Sequence, residues 1–152
     1  MTEEGAMTED PDDLARRCAD VMWSGDAASR MLGMSILAVG PGSATVSMTV
    51  REDMINGWGL GHGGLVASLA DSAFAVACNS HGTVTVASGF DVSLLEAARL
   101  GDELVAVAVE RAVRGRSGVY DVTVTRTSDG AVIAEFRGRS HSTGRPITPK
   151  AG

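Results

Sequence analysis

The sequence predicts an α+β fold in which one curled antiparallel sheet wraps around a single central helix. The 152 residues suffice for one domain with a core of its own. Residues 63–79 are apolar on nearly all sides and too many for one strand, which indicates a buried helix. Strand-like segments with turn residues between them stand on both sides of it. A helix so apolar must be covered on most sides, and a curled sheet provides that cover.

The N-terminal region is predicted to hold an acidic tail and one extra helix. Residues 1–11 are polar and show no periodicity, so we expect a disordered tail there. Asp12 and Asp13 are expected to cap a short helix that ends near Gly25. The apolar face of this helix consists of Leu14, Cys18, Val21 and Met22.

The strands are predicted from alternating apolar residues and from the turns that separate them. Pro41-Gly42 marks the turn of a hairpin that precedes the central helix. The predicted strands cover residues 33–39, 43–51, 83–95, 102–113, 118–127 and 131–140. A hairpin, one helix and four antiparallel strands in this order form the hotdog architecture. We expect a single hotdog domain over residues 12–144, followed by a loose tail over 145–152.

Charge is spread unevenly along the chain, whose net charge is −6. Residues 1–26 hold eight acids against two arginines, whereas residues 111–152 hold eight bases against three acids. The basic end favours a compact polyanionic ligand, because no long basic stripe and no stacking aromatic residues accompany its arginines. We therefore expect no nucleic acid partner.

Composition also argues against several other classes of protein. No segment approaches the ~20 uninterrupted apolar residues of a membrane span, and the acidic N-terminus does not resemble a signal peptide. We expect a cytoplasmic protein without membrane contact. The three histidines lack the spacing of metal ligands, so no metal site is expected. Cys18 and Cys78 are compatible with a disulfide, but we favour two buried thiols.

Asp71 is the only charged residue between Asp53 and Asp91. It shares one helix face with Ser68 and Ser72, and this face can be a solvated surface. A solvated stripe of this length usually carries more than one ionisable group, which favours a face toward a ligand or another subunit. Burial there would raise the pKa of Asp71, and the two serine hydroxyls could offset this by donating hydrogen bonds.

His62, Gly63 and Gly64 stand at the predicted start of the central helix. In one interpretation, His62 only caps the helix and the two glycines only let a neighbouring backbone pass close. They can also offer free N–H groups at the positive end of a helix, where an oxyanion would bind. Gly63 and Asp71 are eight residues apart, or about 12 Å along a helix. If they act on one substrate, a two-fold dimer must supply Gly63 from one subunit and Asp71 from the other.

Residues 54–144 resemble the PaaI family of hotdog thioesterases. The resemblance rests on Asn56-Gly57, on the GHGG run at 61–64 followed by LADSAFAVACNSHG at 69–82, and on GRSGVYD at 115–121. It implies hydrolysis of an acyl-CoA, such as a phenylacetyl- or hydroxyphenylacetyl-CoA, to the free acid and CoA. It further implies that four residues act in catalysis. These are Asp71 as general base or nucleophile, Gly63 as the donor to the thioester oxygen, and Asn56 and His62 as helpers.

The resemblance also implies a set of residues that bind the substrate or its CoA moiety. These are Gly64, Ser72, Ser88, Arg114, Gly115, Arg116, Ser117 and His141. The clustered arginines suit the phosphates of CoA. The family implies a homodimer with active sites at its interface, assembling further to a homotetramer, a role in phenylacetate degradation, and no cofactor beyond the CoA of the substrate.

Three alternatives remain open from the sequence. An acyl-CoA hydratase or dehydratase of the same fold would use a histidine, and His62 is available. A non-catalytic acyl-CoA-binding protein would keep the binding residues without turnover. A purely structural oligomer would need neither.

Overall fold

The computed structural model describes residues 8–149, which form three α-helices and six β-strands. A single 3-10 turn, Glu52–Met54, precedes the loop that leads into the third helix. The helices are α1 Pro11–Ser24, α2 Ala27–Met31 and α3 Gly63–Cys78. The strands are β1 Ser35–Gly40, β2 Ser43–Thr49, β3 Thr83–Leu94, β4 Glu103–Arg114, β5 Ser117–Arg126 and β6 Val132–Pro146.

The six strands form one antiparallel sheet in the order β1-β2-β4-β5-β6-β3. The predicted turn between β1 and β2 is present, with Gly42 at a φ of 67° that favours glycine. β3 does not pair with β2 or β4, which flank it in the chain, but crosses over to pair with β6. The sheet therefore ends at β1 on one side and at β3 on the other.

α3 contacts all six strands, as expected of a helix enclosed by a curled sheet. Its buried residues join the inward side chains of β2, β4, β5 and β6 in one core. Phe74 lies at the centre, with its ring 5.5 Å from that of Tyr120 and 5.8 Å from that of Phe136. A Cβ at position 138 would lie 2.8 Å from the Phe74 ring, so Gly138 makes room for it. The predicted hotdog architecture is confirmed.

The extra N-terminal helix is also confirmed, but its cap differs from the prediction. Asp10 caps α1, with its side chain accepting hydrogen bonds from the backbone N–H groups of Asp12 and Asp13. Pro11 occupies the first turn, where its missing N–H costs nothing. Asp12 and Asp13 therefore lie inside the first turn, where their charges favour the helix dipole.

Both expected tails differ in extent from the sequence-based boundaries. Most of the 1–11 tail lies outside the described residues, but Glu9 pairs with Arg17 at 3.0 Å, and α1 starts at Pro11. The 145–152 tail begins as strand, because β6 continues to Pro146 and Ile147 is buried. Its last three residues lie outside the described part of the chain.

Cys18 and Cys78 are both buried free thiols, as favoured from the sequence. Burial is the main cause that raises the pKa of Cys78 to about 12, so this thiol is a weak nucleophile. Among residues 8–149, no helix combines the length and the apolar character needed to cross a bilayer.

Candidate active site

Asn56 organises the loop that leads into α3. Its Oδ1 accepts hydrogen bonds from the backbone N–H groups of Trp58 and Leu60, at 2.9 and 3.1 Å. The backbone N–H of Asn56 donates to the carbonyl of Leu60 at 2.7 Å. Because Oδ1 is occupied, the amide nitrogen is the side-chain group of Asn56 that is left for a ligand. Asn56 shares a cavity of about 250 Å³ with Gly63 and Leu94.

α3 begins with one free backbone donor. His62 is the N-cap, and its Nδ1 accepts a hydrogen bond from the N–H of Gly64 at 3.2 Å. The carbonyl of His62 accepts from Leu65 and Val66. The N–H of Gly63 has no partner within residues 8–149, and Gly63, which has no side chain, lines the cavity next to Asn56. This N–H is therefore available to an oxygen atom of a ligand.

The structure reduces the number of free N–H groups expected at the start of α3. With respect to residues 8–149, the N–H of Gly63 is the free donor of the first turn, because the N–H of Gly64 is used in the cap. His62 has a structural role as that cap, and because its Nδ1 accepts, a neutral ring carries its proton on Nε2. A part of His62 in catalysis remains a prediction.

Asp71 is half-buried in the middle of α3, facing α2 rather than open solvent. It shares a cavity of about 230 Å³ with Asp26 and Ser72. Burial raises the pKa of Asp71, and the negative charge of Asp26 raises it further. The expected serine donors do not offset this, because Ser68 donates to the carbonyl of Gly64 at 2.8 Å and Ser72 is bonded to α2. Asp71 is therefore a half-buried carboxylate with a raised pKa and no salt bridge among the described residues.

Gly63 and Asp71 lie on one uninterrupted helix, so their backbone atoms are about 12 Å apart. They also open into different cavities, one beside Asn56 and one beside α2. A single protomer therefore cannot place both groups about 3 Å from one carbonyl group.

Five of the eight predicted binding residues meet at the turn between β4 and β5, namely Arg114, Gly115, Arg116, Ser117 and His141. Gly115 has a φ of 59° in this tight turn, which joins Arg114 directly to its partner Ser117. Ser117 also lies opposite His141 on β6, so residues far apart in the chain become neighbours. Among the described residues, neither Arg114 nor Arg116 forms a salt bridge.

Most other arginines of this basic region are neutralised. Arg137 and Arg111 both bind Asp121, at 2.7 and 2.9 Å, and they lower the pKa of this carboxyl to about 2, with Arg137 as the larger cause. Arg139 binds Asp91 at 2.7 Å. Among residues 8–149, the arginines of this region without an acidic partner are therefore Arg114 and Arg116 at the β4–β5 turn and Arg145 near the end of β6. The two at the turn favour an anionic ligand there.

A cluster next to this turn was not predicted from the sequence. Glu110 Oε1 accepts a hydrogen bond from the hydroxyl of Tyr120 at 2.7 Å and lies 2.7 Å from His81 Nε2. These residues, with Cys78 and Arg116, line a cavity of about 350 Å³. The contacts join β4, β5 and the segment after α3, which no local sequence pattern signals.

Two predicted binding serines are engaged within the protein. Ser88 lies on the edge strand β3, and its hydroxyl donates to the carbonyl of Arg139 at 3.1 Å. Ser72 is 2.7 Å from Ser29 on α2, a helix that the sequence analysis missed. The signal for α2 was available, since Asp26 stands where an N-cap is expected. Within the part of the chain that the structure describes, no group of three or more His, Cys, Asp or Glu could hold a metal ion.

Comparison with known proteins identifies the family of this chain. Residues 59–133 match the Thioesterase superfamily. The acyl-coenzyme A thioesterase PaaI of Escherichia coli K12 is 42% identical over 133 residues, which cover 88% of this chain and 94% of that protein. The chain belongs to this thioesterase superfamily. The resemblance to PaaI thioesterases, and with it the expectation of a thioester hydrolase, is confirmed.

Solved structures of the superfamily confirm the fold over most of the chain. The E. coli PaaI protein from the phenylacetic acid degradation operon superposes with a TM-score of 0.88 at 40% identity, covering 91% of this chain and all of that one. The phenylacetic acid degradation protein PaaI from Thermus thermophilus, in a mutant form, gives a TM-score of 0.73 at 34% identity, covering 76% and 98%.

Proposed function

We propose that this protein hydrolyses an acyl-CoA to a carboxylic acid and free CoA, with Asp71 of one subunit and Gly63 of another acting on one thioester. The observation that carries the proposal is the free N–H of Gly63 on the same helix as a half-buried, unneutralised Asp71. One group suits a developing oxyanion and the other suits activation of a nucleophile.

In the proposed reaction, the thioester oxygen accepts a hydrogen bond from the N–H of Gly63. The amide nitrogen of Asn56, which shares that cavity, is placed to assist. Asp71 either removes a proton from an attacking water or attacks the carbonyl carbon itself. In the first route the C–S bond then breaks, the sulfur takes the proton that Asp71 accepted, and the acid and the thiol leave. In the second route C–S cleavage leaves a mixed anhydride on Asp71, and the water that hydrolyses it supplies the proton of the thiol and releases the acid. No metal or redox cofactor takes part in this proposal.

The homodimer that this reaction needs has a suitable surface in β3. This strand is an edge of the sheet, so one side of its backbone has no partner strand among the described residues. Val86, Phe90 and Leu94 are exposed on it by 48, 42 and 53%, which is unusual for apolar residues of an unpaired edge. Pairing of two β3 strands about a two-fold axis would bring two α3 helices together in antiparallel fashion. Further assembly to a homotetramer remains part of the proposal.

The β4–β5 turn is proposed to bind the phosphates of CoA. Arg114 and Arg116 are exposed and lack acidic partners within residues 8–149, and His141 lies next to Ser117 at the same place. For the acyl group we propose an arylacetyl moiety of the phenylacetyl type, because relatives with 34–40% identity are described as phenylacetic acid degradation proteins. Two free thiols fit a protein of the reducing cytoplasm.

The test is release of thiol from a panel of aryl-, medium- and long-chain acyl-CoA substrates by wild type and by Asp71→Asn. We expect wild type to favour arylacetyl thioesters and the variant to lose about 10³-fold in kcat. Asp20→Asn, on the exposed side of α1, is the matched control and should retain full activity. An Asp71→Asn protein as active as wild type would overturn the proposed role. Hydration of an enoyl-CoA, assayed in parallel, would instead support the hydratase alternative.

A further inference from the structure

A hydrogen-bond chain connects α2 with the residue next to Asp71. Asp26 caps α2, and its Oδ1 accepts from the backbone N–H of Ser29 at 2.9 Å. Its Oδ2 accepts from the hydroxyl of Ser29 at 2.7 Å. The hydroxyl oxygen of Ser29 lies 2.7 Å from that of Ser72 on α3. Ser29 is only 2% exposed, so bulk water has little access to the middle of the chain.

The chemistry of these groups fixes the direction of the chain. A serine hydroxyl has one proton to donate and two lone pairs that accept. Ser29 donates its proton to the carboxylate of Asp26, which can only accept when it is ionised. Ser72 must therefore be the donor in its bond with Ser29. The Ser72 oxygen keeps its remaining accepting capacity, and it cannot donate to Asp71 at the same time.

Asp71 and Ser72 present acceptors to the cavity next to Asp71 that no described side chain satisfies, whereas both carboxylate oxygens of Asp26, which also lines it, already accept from Ser29. Asp71 and Ser72 both line it, while Ser68 donates back to its own helix. A small molecule that satisfies both acceptors must donate two hydrogen bonds, and water does so. At about 230 Å³ the cavity has room for it.

We propose that Ser72 and Asp71 together hold the attacking water, and that Asp26 and Ser29 are positioning residues that keep Ser72 as an acceptor. This inference rests on the proposed role of Asp71. It deepens that role because it selects attack by water over direct attack by the carboxylate.

Atoms and protons balance in the proposed step. The water oxygen forms the bond to the thioester carbon while one of its protons moves to Asp71 and the other stays bonded toward Ser72. When the C–S bond breaks, Asp71 returns its proton to the sulfur. The products are one carboxylic acid and one thiol.

The electrostatics around Asp71 are consistent with this task. Asp26, the charged group that faces it from α2, raises its pKa, although less than burial does. Along α3 the nearest titratable neighbour is the buried thiol of Cys78, which stays protonated at neutral pH. A raised pKa makes Asp71 a better acceptor for a proton of water.

Asp26→Asn tests the direction of the chain. Its Oδ1 can still cap α2, but the amide that replaces Oδ2 donates to Ser29, so Ser29 must donate to Ser72. The proton of Ser72 then turns toward the cavity and Asp71. We expect kcat to fall about 10- to 100-fold with KM nearly unchanged. The acidic limb of the pH profile should move to lower pH, because a like charge is lost and a donor is gained.

Three further variants separate this role from a structural one. Ser72→Ala should lower kcat to a similar extent, and Ser72→Thr, which keeps the hydroxyl, should restore most of it. Asp26→Asn should have little further effect on kcat when Ser72 is already Ala. Asp10→Asn, which alters the equivalent cap of α1, is the matched control and should keep wild-type kcat and pH profile.

A single turnover in H₂¹⁸O completes the test. We expect the label in the product acid and none in the protein. Label in the carboxylate of Asp71 would overturn this inference and show that Asp71 is a nucleophile. Wild-type kcat in both Ser72→Ala and Asp26→Asn would overturn the roles of Ser72 and Asp26 and leave the role of Asp71 as proposed. Full activity of Asp71→Asn would instead overturn the proposed function itself, so the two failures are distinguishable.

Discussion

The polar groups at the two ends of α3 differ in how they are hydrogen-bonded. At the C-terminal end, the amide nitrogen of Asn79 donates to the carbonyls of Ala75 and Thr85, at 2.9 and 3.0 Å, and its oxygen accepts from the N–H of Thr85 at 2.8 Å. Ser80 donates to another carbonyl of the last turn at 2.7 Å. At the N-terminal end, the N–H of Gly63 has no partner in the described part of the chain.

This difference distinguishes a helix end whose polar groups are bonded within the protein from one that has a free donor. The C-terminal end is buried, where an unsatisfied polar group costs about 1–3 kcal/mol, so every side-chain group there is used. The N-terminal end lines a cavity, and the N–H of Gly63 at the positive end of the helix dipole is the group that the proposed function assigns to the thioester oxygen. The same helix therefore combines an anchored end with a donor end.

The largest effect is expected when the free donor is removed without changing the helix. Gly63 is the first helical residue, a position that proline tolerates, and the ψ of 123° at His62 suits a residue before proline. A Cβ at this position would lie 2.5 Å from Leu94 Cδ1, so the change is made together with Leu94→Ala. Gly63→Pro in this background should lower kcat about 10²- to 10³-fold in the thiol-release assay, because no N–H remains for the oxyanion.

Gly63→Ala in the same Leu94→Ala background is the matched control, since alanine fills the same space and keeps the N–H. We expect it to retain most of the activity of Leu94→Ala alone. Equal activity of the proline and alanine variants would mean that the N–H of Gly63 does not bind the thioester oxygen.

Substitutions at the C-terminal end of α3 should change the free energy of unfolding rather than kcat. Asn79→Ala leaves the N–H and carbonyl of Thr85 without their partner, so we expect unfolding in urea to cost about 2–3 kcal/mol less than in wild type. Asn79→Asp keeps the acceptor but sets a carboxylate oxygen against the carbonyls of Ala75 and Thr85, at the negative end of the helix, so at pH 7 it should be at least as destabilising as Asn79→Ala. A fall in kcat of the folded Asn79→Ala enzyme as large as that of the Gly63 variant would contradict the division between the two ends.

Most of the fold was predictable because hydrophobic periodicity and turn residues define the helix and the strands. The all-apolar segment defined α3 to within one residue, and glycine-containing turns separated the strands correctly. The partner of β3 was not predictable, because pairing with β6 depends on contacts far apart in sequence. α2 was missed because five residues show too little periodicity, although Asp26 is a capping residue.

The candidate site was predictable where one residue is unusual in its surroundings. Asp71 stood out as a lone charge on an apolar helix, and its spacing from Gly63 predicted that two subunits would be needed if both residues act on one thioester. The sequence could not show that Gly64 is used in the cap, or that Ser72 is bonded to Ser29. By helical spacing Asn79 shares the face of Asp71, yet it is buried and fully bonded. Such assignments depend on side-chain partners that only the packed structure brings together.

The smallest expected effect is on stability and comes from the charge of Asp71 in the middle of α3. Asp71 has a raised pKa in the folded protein, so its ionised form opposes folding. The sign follows from linkage: wild type loses stability as the pH rises from the ordinary carboxyl range through the raised pKa of Asp71, and remains lower above it. Asp71→Asn removes this charge with similar shape and helix propensity. We expect the inactive variant to equal wild type in urea unfolding near pH 3 and to be more stable at pH 7, compared at one protein concentration. A variant less stable than wild type at pH 7 would show that Asp71 anchors the helix, as Asn79 does, instead of being held there for catalysis.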